Sequence, residues 1–192
     1  MPRLFIAVDL SIAVVERLAV LQREWAAALR DADVRISWVA PENIHLTLKF
    51  LGELEEPLVP MIDQTLAALV RPLFPFEVAC QRIGAFPDPR RPRILWAGLD
   101  DKGAEVMGLL RQAIEQDIDR LGIAPDERPF HPHVTLGRVK SLQACDMADL
   151  VTSLGAYDFG SSFIKDIVLY ESLLTPSGPE YRVRNRFTLG ES

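Results

Sequence analysis

Two four-residue phrases constrain this chain more than anything else in it. His45-Leu46-Thr47-Leu48 and His133-Val134-Thr135-Leu136 each sit in a run, 43–51 and 131–139, that alternates apolar and polar residues. A period of two predicts a half-buried β-strand, so His and Thr share one face, about 6.6 Å apart along the backbone. Leu46, Leu48 and Phe50 are expected behind the first pair, Val134 and Leu136 behind the second. The chain has only three histidines, and two of them open such a phrase.

The phrases lie 88 positions apart, and helix, strand and His strand come in similar order around each. A duplication of that length predicts an α+β fold with two pseudo-symmetric lobes in one bilobal domain spanning 1–192. Two antiparallel sheets would face a central cleft, with helices on their outer faces. If a twofold relates the lobes, the two His-Thr faces converge.

Along the chain, Arg3 to Val8 reads as a strand with Phe5 and Ala7 on one side. Ser11 can cap a helix, and Val14, Leu18, Leu21, Trp25 and Leu29 follow at helical spacing. Arg35 to Val39 gives a short strand before Pro41, and Gly52 should end the first His strand. A second helix is expected over Pro57 to Val70, with Leu58, Met61, Ile62, Leu66 and Leu69 inward. Phe74 to Ile83 reads as a strand, 84–89 as a turn-rich loop, and the region Gly84 to Pro92 as the best candidate boundary. A strand over Arg93 to Leu99 and a helical stripe of Met107, Leu110, Ile114, Ile118 and Leu121 come next, the helix closed by Gly122. A last helix over Leu142 to Leu154, closed by Gly155, and strands over Phe163 to Tyr170 and Tyr181 to Leu189 complete the chain. A turn around Pro176-Ser177-Gly178-Pro179 joins those two strands.

Composition removes several classes of function. The net charge of −6 and pI near 5.1 argue against a protein that tracks long nucleic-acid backbones by counterion release. No apolar stretch reaches membrane-span length, and the first ten residues lack the zones of a signal peptide, so a cytoplasmic protein without membrane contact is expected. Cys80 and Cys145 have no paired spacing and read as small buried hydrophobes. A metal held by His45, His131 and His133 would leave both threonines idle and lacks the usual ligand spacing. No nucleophile elbow or phosphate-binding glycine loop occurs.

What remains is acid-base chemistry. One neutral and one protonated imidazole can take a proton from water and give one to a leaving oxygen. In-line displacement at phosphorus needs that division on opposite sides of the phosphorus. Two hydroxyls would hold its non-bridging oxygens. Such a site suits an activated ester with a tethered leaving group, such as a strained cyclic phosphodiester.

The motifs and their frames resemble the 2H phosphoesterases. The likeness includes Arg3-Leu4-Phe5-Ile6-Ala7, Trp38-Val39-x-Pro41-Glu42-Asn43, Leu48-Lys49-Phe50-Leu51-Gly52, Gly84-Ala85-Phe86-Pro87, Pro92-Arg93-Ile94-Leu95-Trp96 and Arg128-Pro129-Phe130-His131-Pro132-His133. These are similar to the RNA 2′,3′-cyclic phosphodiesterase branch, also called 2′-5′ RNA ligases. The resemblance implies hydrolysis of RNA 2′,3′-cyclic phosphate ends to 2′-phosphomonoesters without a cofactor. It implies His45 as proton donor and His133 as proton acceptor, an order the pseudo-symmetric sequence leaves open. Thr47 and Thr135 would hold the phosphoryl oxygens, and reversible 2′-5′ ligation would take place in the same site. The expected partners are RNA ends or nucleotides carrying a cyclic phosphate, with the protein a monomer.

Further substrate contacts are expected from Arg128, in a loop able to overhang the cleft, from Phe5 by stacking on a base, and from Lys49 on the face of His45 and Thr47. Two other functions fit the same motifs. One is a phosphodiesterase of small cyclic nucleotides or ADP-ribose cyclic phosphate. The other is a non-catalytic module that binds nucleotide or RNA ends.

Overall fold

The structure is a computed structural model that describes residues 1–30, 34–126, 128–140, 146–153, 157–175 and 178–190. Within these the elements run β1 (Arg3–Asp9), α1 (Ile12–Ala28), β2 (Ile36–Trp38), β3 (His45–Glu53), α2 (Val59–Val70), β4 (Phe76–Phe86) and β5 (Ile94–Leu99). They continue with α3 (Asp101–Asp119), β6 (His133–Val139), α4 (Ala148–Ser153), β7 (Asp158–Ile164), β8 (Asp166–Thr175) and β9 (Gly178–Thr188). The strands lie in the order β7-β4-β5-β6-β3-β1-β8-β9, with β2 beside β6, and all pairings are antiparallel.

The two motif strands are the central pair. β3 and β6 share a single register pair, Leu46 with Val134, so the sheet divides there into two four-stranded halves, β3-β1-β8-β9 and β6-β5-β4-β7. Each half repeats the plan of the other, and the expected α+β architecture holds, with the two expected antiparallel sheets joined as halves of one continuous nine-stranded sheet. Leu46 and Val134 are both fully buried, which turns the His and Thr on either side of them to the opposite face.

Helices cover the apolar side. Ser11 caps α1 by accepting from the Val14 amide at 3.4 Å, and Val14, Leu18, Leu21 and Trp25 are buried as their spacing requires. Asp100 caps α3, accepting from the Gly103 amide at 3.2 Å and from the Ala79 amide of β4 at 3.1 Å. A carboxylate so bound satisfies helix and strand donors together. Buried Met107, Leu110, Ile114 and Ile118 set α3 against β3, β4 and β5, while α2 packs on α3 and β9. Gln22, buried inside α1, donates to the carbonyls of Val39 and Leu136 at 2.8 Å each, tying the helix to the second motif strand.

Several sequence expectations need correction. The run Phe163–Tyr170 is not one strand: it breaks at Lys165, and β7 pairs with β4 while β8 pairs with β1. The charged pair Lys165-Asp166 falls at the break, and pairing with different neighbours assigns the two parts to opposite half-sheets. The stretch from Gly84 to Pro92 is no boundary. Gly84, Ala85 and Phe86 extend β4 opposite Trp96, Leu95 and Ile94, inside one half-sheet. Gly52 does not end β3, which runs on to Glu53 with Gly52 at φ 76°. Met61 is 47% exposed, and Val59 faces inward in its place, because at 3.6 residues per turn Met61 lies to one side of the face formed by Val59, Ile62, Leu66, Leu69 and Val70. Of the expected helix at 142–154, α4 holds 148–153. Residues 141–145, with Cys145, and 154–156, with Gly155, lie outside the described residues, as do Pro176 and Ser177. Cys80 is buried as expected, its thiol pushed up to about 12 mainly by burial.

Gly84 is in a strand for a steric reason. A Cβ built there would lie 2.1 Å from the Trp96 ring, which crosses the backbone at this point. Gly84→Ala is therefore expected to displace the indole and cost about 1–3 kcal/mol, as overpacked sites do. Urea unfolding monitored by tryptophan fluorescence would measure that loss.

Candidate active site

The site is built from a repeated irregularity. On β3, Ala7 pairs with Thr47 but Ile6 pairs with Lys49, so Leu48 is an extra residue. On β6, Trp96 pairs with Thr135 but Leu95 pairs with Gly137, so Leu136 is extra in the same place. Such a bulge bends the strand and inverts which later residues face which side. Carried one residue either way from Leu46–Val134, the antiparallel register sets His45 across from Thr135 and Thr47 across from His133. The structure thus brings together the two His and two Thr that the sequence singled out, on one half-exposed face.

Each imidazole is held the same way. His45 Nδ1 lies 2.8 Å from the carbonyl oxygen of Asn43, and His133 Nδ1 lies 2.6 Å from that of His131. A carbonyl only accepts, so Nδ1 carries the proton in both rings and Nε2 is left for chemistry. The Asn43 carbonyl is presented by the 3-10 turn Pro41–Asn43, which accounts for the framing residues before the first motif. His45 Nε2 is 3.0 Å from Thr47 Oγ1. Burial lowers both histidines below the ordinary 6.5, partly offset by the backbone carbonyls. A phosphodiester seated between them would push both back up, because a nearby negative charge favours the imidazolium.

Aromatic rings back the histidines on both sides. His45 stacks on Phe5 at 5.0 Å, with Tyr181 edge-on at 5.2 Å and Tyr170 at 5.9 Å. His133 meets Phe86 edge-on at 5.2 Å and Trp96 at 6.4 Å. The framing segments at Gly84–Pro87 and Pro92–Trp96 therefore supply the wall behind the second motif.

The weaker sequence candidates fare differently. Phe5 is only 2% exposed, covered by His45, Tyr170 and Tyr181, so it supports the His45 ring and offers no free face to a base. Lys49 does not share the face of His45 and Thr47. The bulge pairs it with buried Ile6, and its ammonium is ion-paired with Glu115 on α3 and donates to the Ala124 carbonyl at 3.1 Å. The same bulge turns Phe50 outward, 60% exposed. Arg128 is an exposed side chain folded onto Asp126 of its own loop by bonds of 2.9 and 2.7 Å, which pull the carboxyl down to about 2. That loop is anchored by Arg111, which ion-pairs with Glu115 at 3.0 Å, donates to the Asp126 carbonyl and lies over the Phe130 ring at 5.0 Å. Among the described residues no three His, Cys, Asp or Glu side chains gather as a metal site would need.

Two site residues were missed. Arg138 pairs with Ile94 beyond the bulge and so returns to the face of His133 and Thr135. Its charge acts on both His133 and Tyr181. Its signal was its place three residues beyond Thr135, readable only with the bulge known. Tyr181 arrives from β9, far along the chain, and carried no local signal.

A strand pair presenting two oriented imidazoles and two hydroxyls on one face is the outline of an acid-base esterase site. The model of the LigT-like phosphoesterases matches residues 9–96 and 98–181, and the chain belongs to that family. A relative in Methanothermobacter thermautotrophicus, named RNA 2′,3′-cyclic phosphodiesterase, is 34% identical over 97% of this chain and 98% of its own. One of the same name in Aeropyrum pernix is 36% identical over 81% of this chain and 90% of its own. A crystal structure of a Thermus thermophilus protein superposes with a TM-score of 0.81 at 29% identity, covering 98% of each chain. The LigT of E. coli, solved with 3′-AMP, shares the fold with a TM-score of 0.75 at 24% identity over 99% of each chain. The chain is thus an enzyme of the phosphoesterase class, and no helix among its described residues is long and apolar enough to cross a membrane.

Proposed function

We propose that this enzyme hydrolyses the 2′,3′-cyclic phosphate at RNA ends, leaving a 2′-phosphomonoester. The observation that carries the reading is the pairing of the two motif strands at Leu46–Val134, which puts one His and one Thr from each on a common face. Relatives that share about a third of their residues with most of this chain bear the name of that activity.

In this reading His133 Nε2 takes a proton from water as its oxygen bonds to phosphorus. The bond from phosphorus to O3′ breaks on the far side, and His45 Nε2 delivers its proton to that oxygen. The Thr47 and Thr135 hydroxyls donate to the non-bridging oxygens, where charge builds up in the transition state. Arg138, exposed on the same face, suits the anionic phosphate or the chain beyond it. No metal enters the steps, and 2′-5′ ligation is the same path with a 5′-hydroxyl in place of water as the attacking group.

The test mixes purified protein and chelator with an RNA ending in 2′,3′-cyclic phosphate, and separately with a cyclic mononucleotide. Conversion of the RNA end to a 2′-phosphate is expected. Turnover of the mononucleotide alone would point to a small-molecule phosphodiesterase, and binding without turnover to a recognition module.

A further inference from the structure

The pseudo-twofold is broken at one position beside the histidines. On the neighbouring strands, Ala7 and Trp96 sit opposite Thr47 and Thr135, and Val8 and Ala97 sit opposite Leu46 and Val134. Asp9 is then opposite His45, while Gly98 is opposite His133. One imidazole thus has a carboxylate on the adjacent strand and the other has no side chain there. Directly opposed residues in an antiparallel pair have Cα atoms about 4.5–5.5 Å apart.

The Asp9 carboxylate is fixed. Tyr170 on β8 donates its hydroxyl to Oδ1 at 2.6 Å, and Arg186 on β9 donates to Oδ2 at 2.7 Å. Arg186 also lies 3.7 Å from Asp166. The His45 nitrogens are engaged elsewhere, Nδ1 by the Asn43 carbonyl and Nε2 by Thr47, so Asp9 acts on the ring through space. The titratable groups beside His45 are Asp9 from β1, Tyr170 from β8 and Tyr181 from β9, with Arg186 of β9 bound to Asp9. Those acting on His133 are His131 and Arg138. One motif therefore faces a carboxylate and the other a guanidinium.

We propose that Asp9, held by Tyr170 and Arg186, is a positioning residue that commits His45, rather than His133, to the proton-donor role. The inference rests on the cyclic phosphodiesterase reading and deepens it by giving a physical origin for the order of the two histidines. The Asp9 charge raises the proton affinity of His45 against its burial, whereas Arg138 lowers that of His133. Tyr170, its own ionisation pushed up by burial and by Asp9, stays a neutral donor throughout.

Two variants with opposite signs test this. Asp9→Asn removes the negative charge, so the His45 imidazole, followed by NMR titration of the ligand-free protein, is expected to titrate about 0.5–1 pH unit lower. His133 should stay in place. Arg186→Gln leaves the carboxylate less neutralised and should move His45 upward. In hydrolysis of the cyclic phosphate, the limb of the kcat/KM profile governed by His45 should follow each shift. If both variants lower activity at every pH and leave the His45 titration unmoved, Asp9 is only structural and the inference fails. Should Asp9→Asn not fold, an upward shift in Arg186→Gln supports the proposal, and no shift or a downward one overturns it. The titration needs no substrate, so a wild-type enzyme inert on cyclic phosphates would defeat the functional reading while this measurement still reported on Asp9.

Discussion

Alanine at either His45 or His133 is expected to lower kcat for cyclic-phosphate hydrolysis by roughly 10²–10⁴-fold, the usual contribution of one positioned acid or base. KM should change little, since the hydroxyls and Arg138 remain to bind the anion. Groups that act as a unit are not additive, so the double alanine variant should be hardly slower than the worse single one. Each ring is held by one backbone carbonyl and packed on aromatics, and both variants should keep the circular dichroism spectrum of the parent. Steady-state kinetics of the three variants on one RNA end measures the pattern. Equal losses that multiply in the double variant would mean the histidines work in separate events.

The second large effect belongs to the threonines. Thr47→Val and Thr135→Val keep shape and remove one donor each, and a loss of about 10²–10³ in kcat is expected if the hydroxyls stabilise charge that appears only in the transition state. The two differ in one respect. Thr47 also bonds His45 Nε2 at 3.0 Å, and a hydroxyl given to that nitrogen favours the neutral ring. Thr47→Val should therefore raise the His45 titration slightly, with no such effect on His45 from Thr135→Val. Rates that fall through KM alone would assign the hydroxyls to substrate binding only.

Much of this was legible because the motif strands alternate regularly up to the threonine. His45, Thr47, His133 and Thr135 fall where a period of two puts them, and the α1 and α3 stripes are buried on schedule. What followed the threonines was not legible. One inserted residue, Leu48 or Leu136, reverses the facing of Lys49, Phe50 and Arg138, and a leucine standing where the alternation already expects an apolar residue leaves no mark on the pattern. Phe5 was ambiguous for another reason: its cover is Tyr170 and Tyr181, brought by β8 and β9 from the far end of the chain. In 163–170 the charged pair Lys165-Asp166 marks the break, but which half-sheet each part joins is set by long-range pairing with β4 and β1. Asp9 fell just past the expected first strand, and only its register opposite His45 gives it meaning.

The account stands on a division of labour between two imidazoles on paired strands, and a sulfur substitution tests that division most directly. A 2′,3′-cyclic phosphate whose bridging 3′ oxygen is replaced by sulfur has a leaving group that needs little protonation. His45→Ala should recover most of its lost rate on this substrate, while His133→Ala stays as slow as on the oxygen ester. Rescue of His133→Ala instead, or of neither variant, would contradict the assignment.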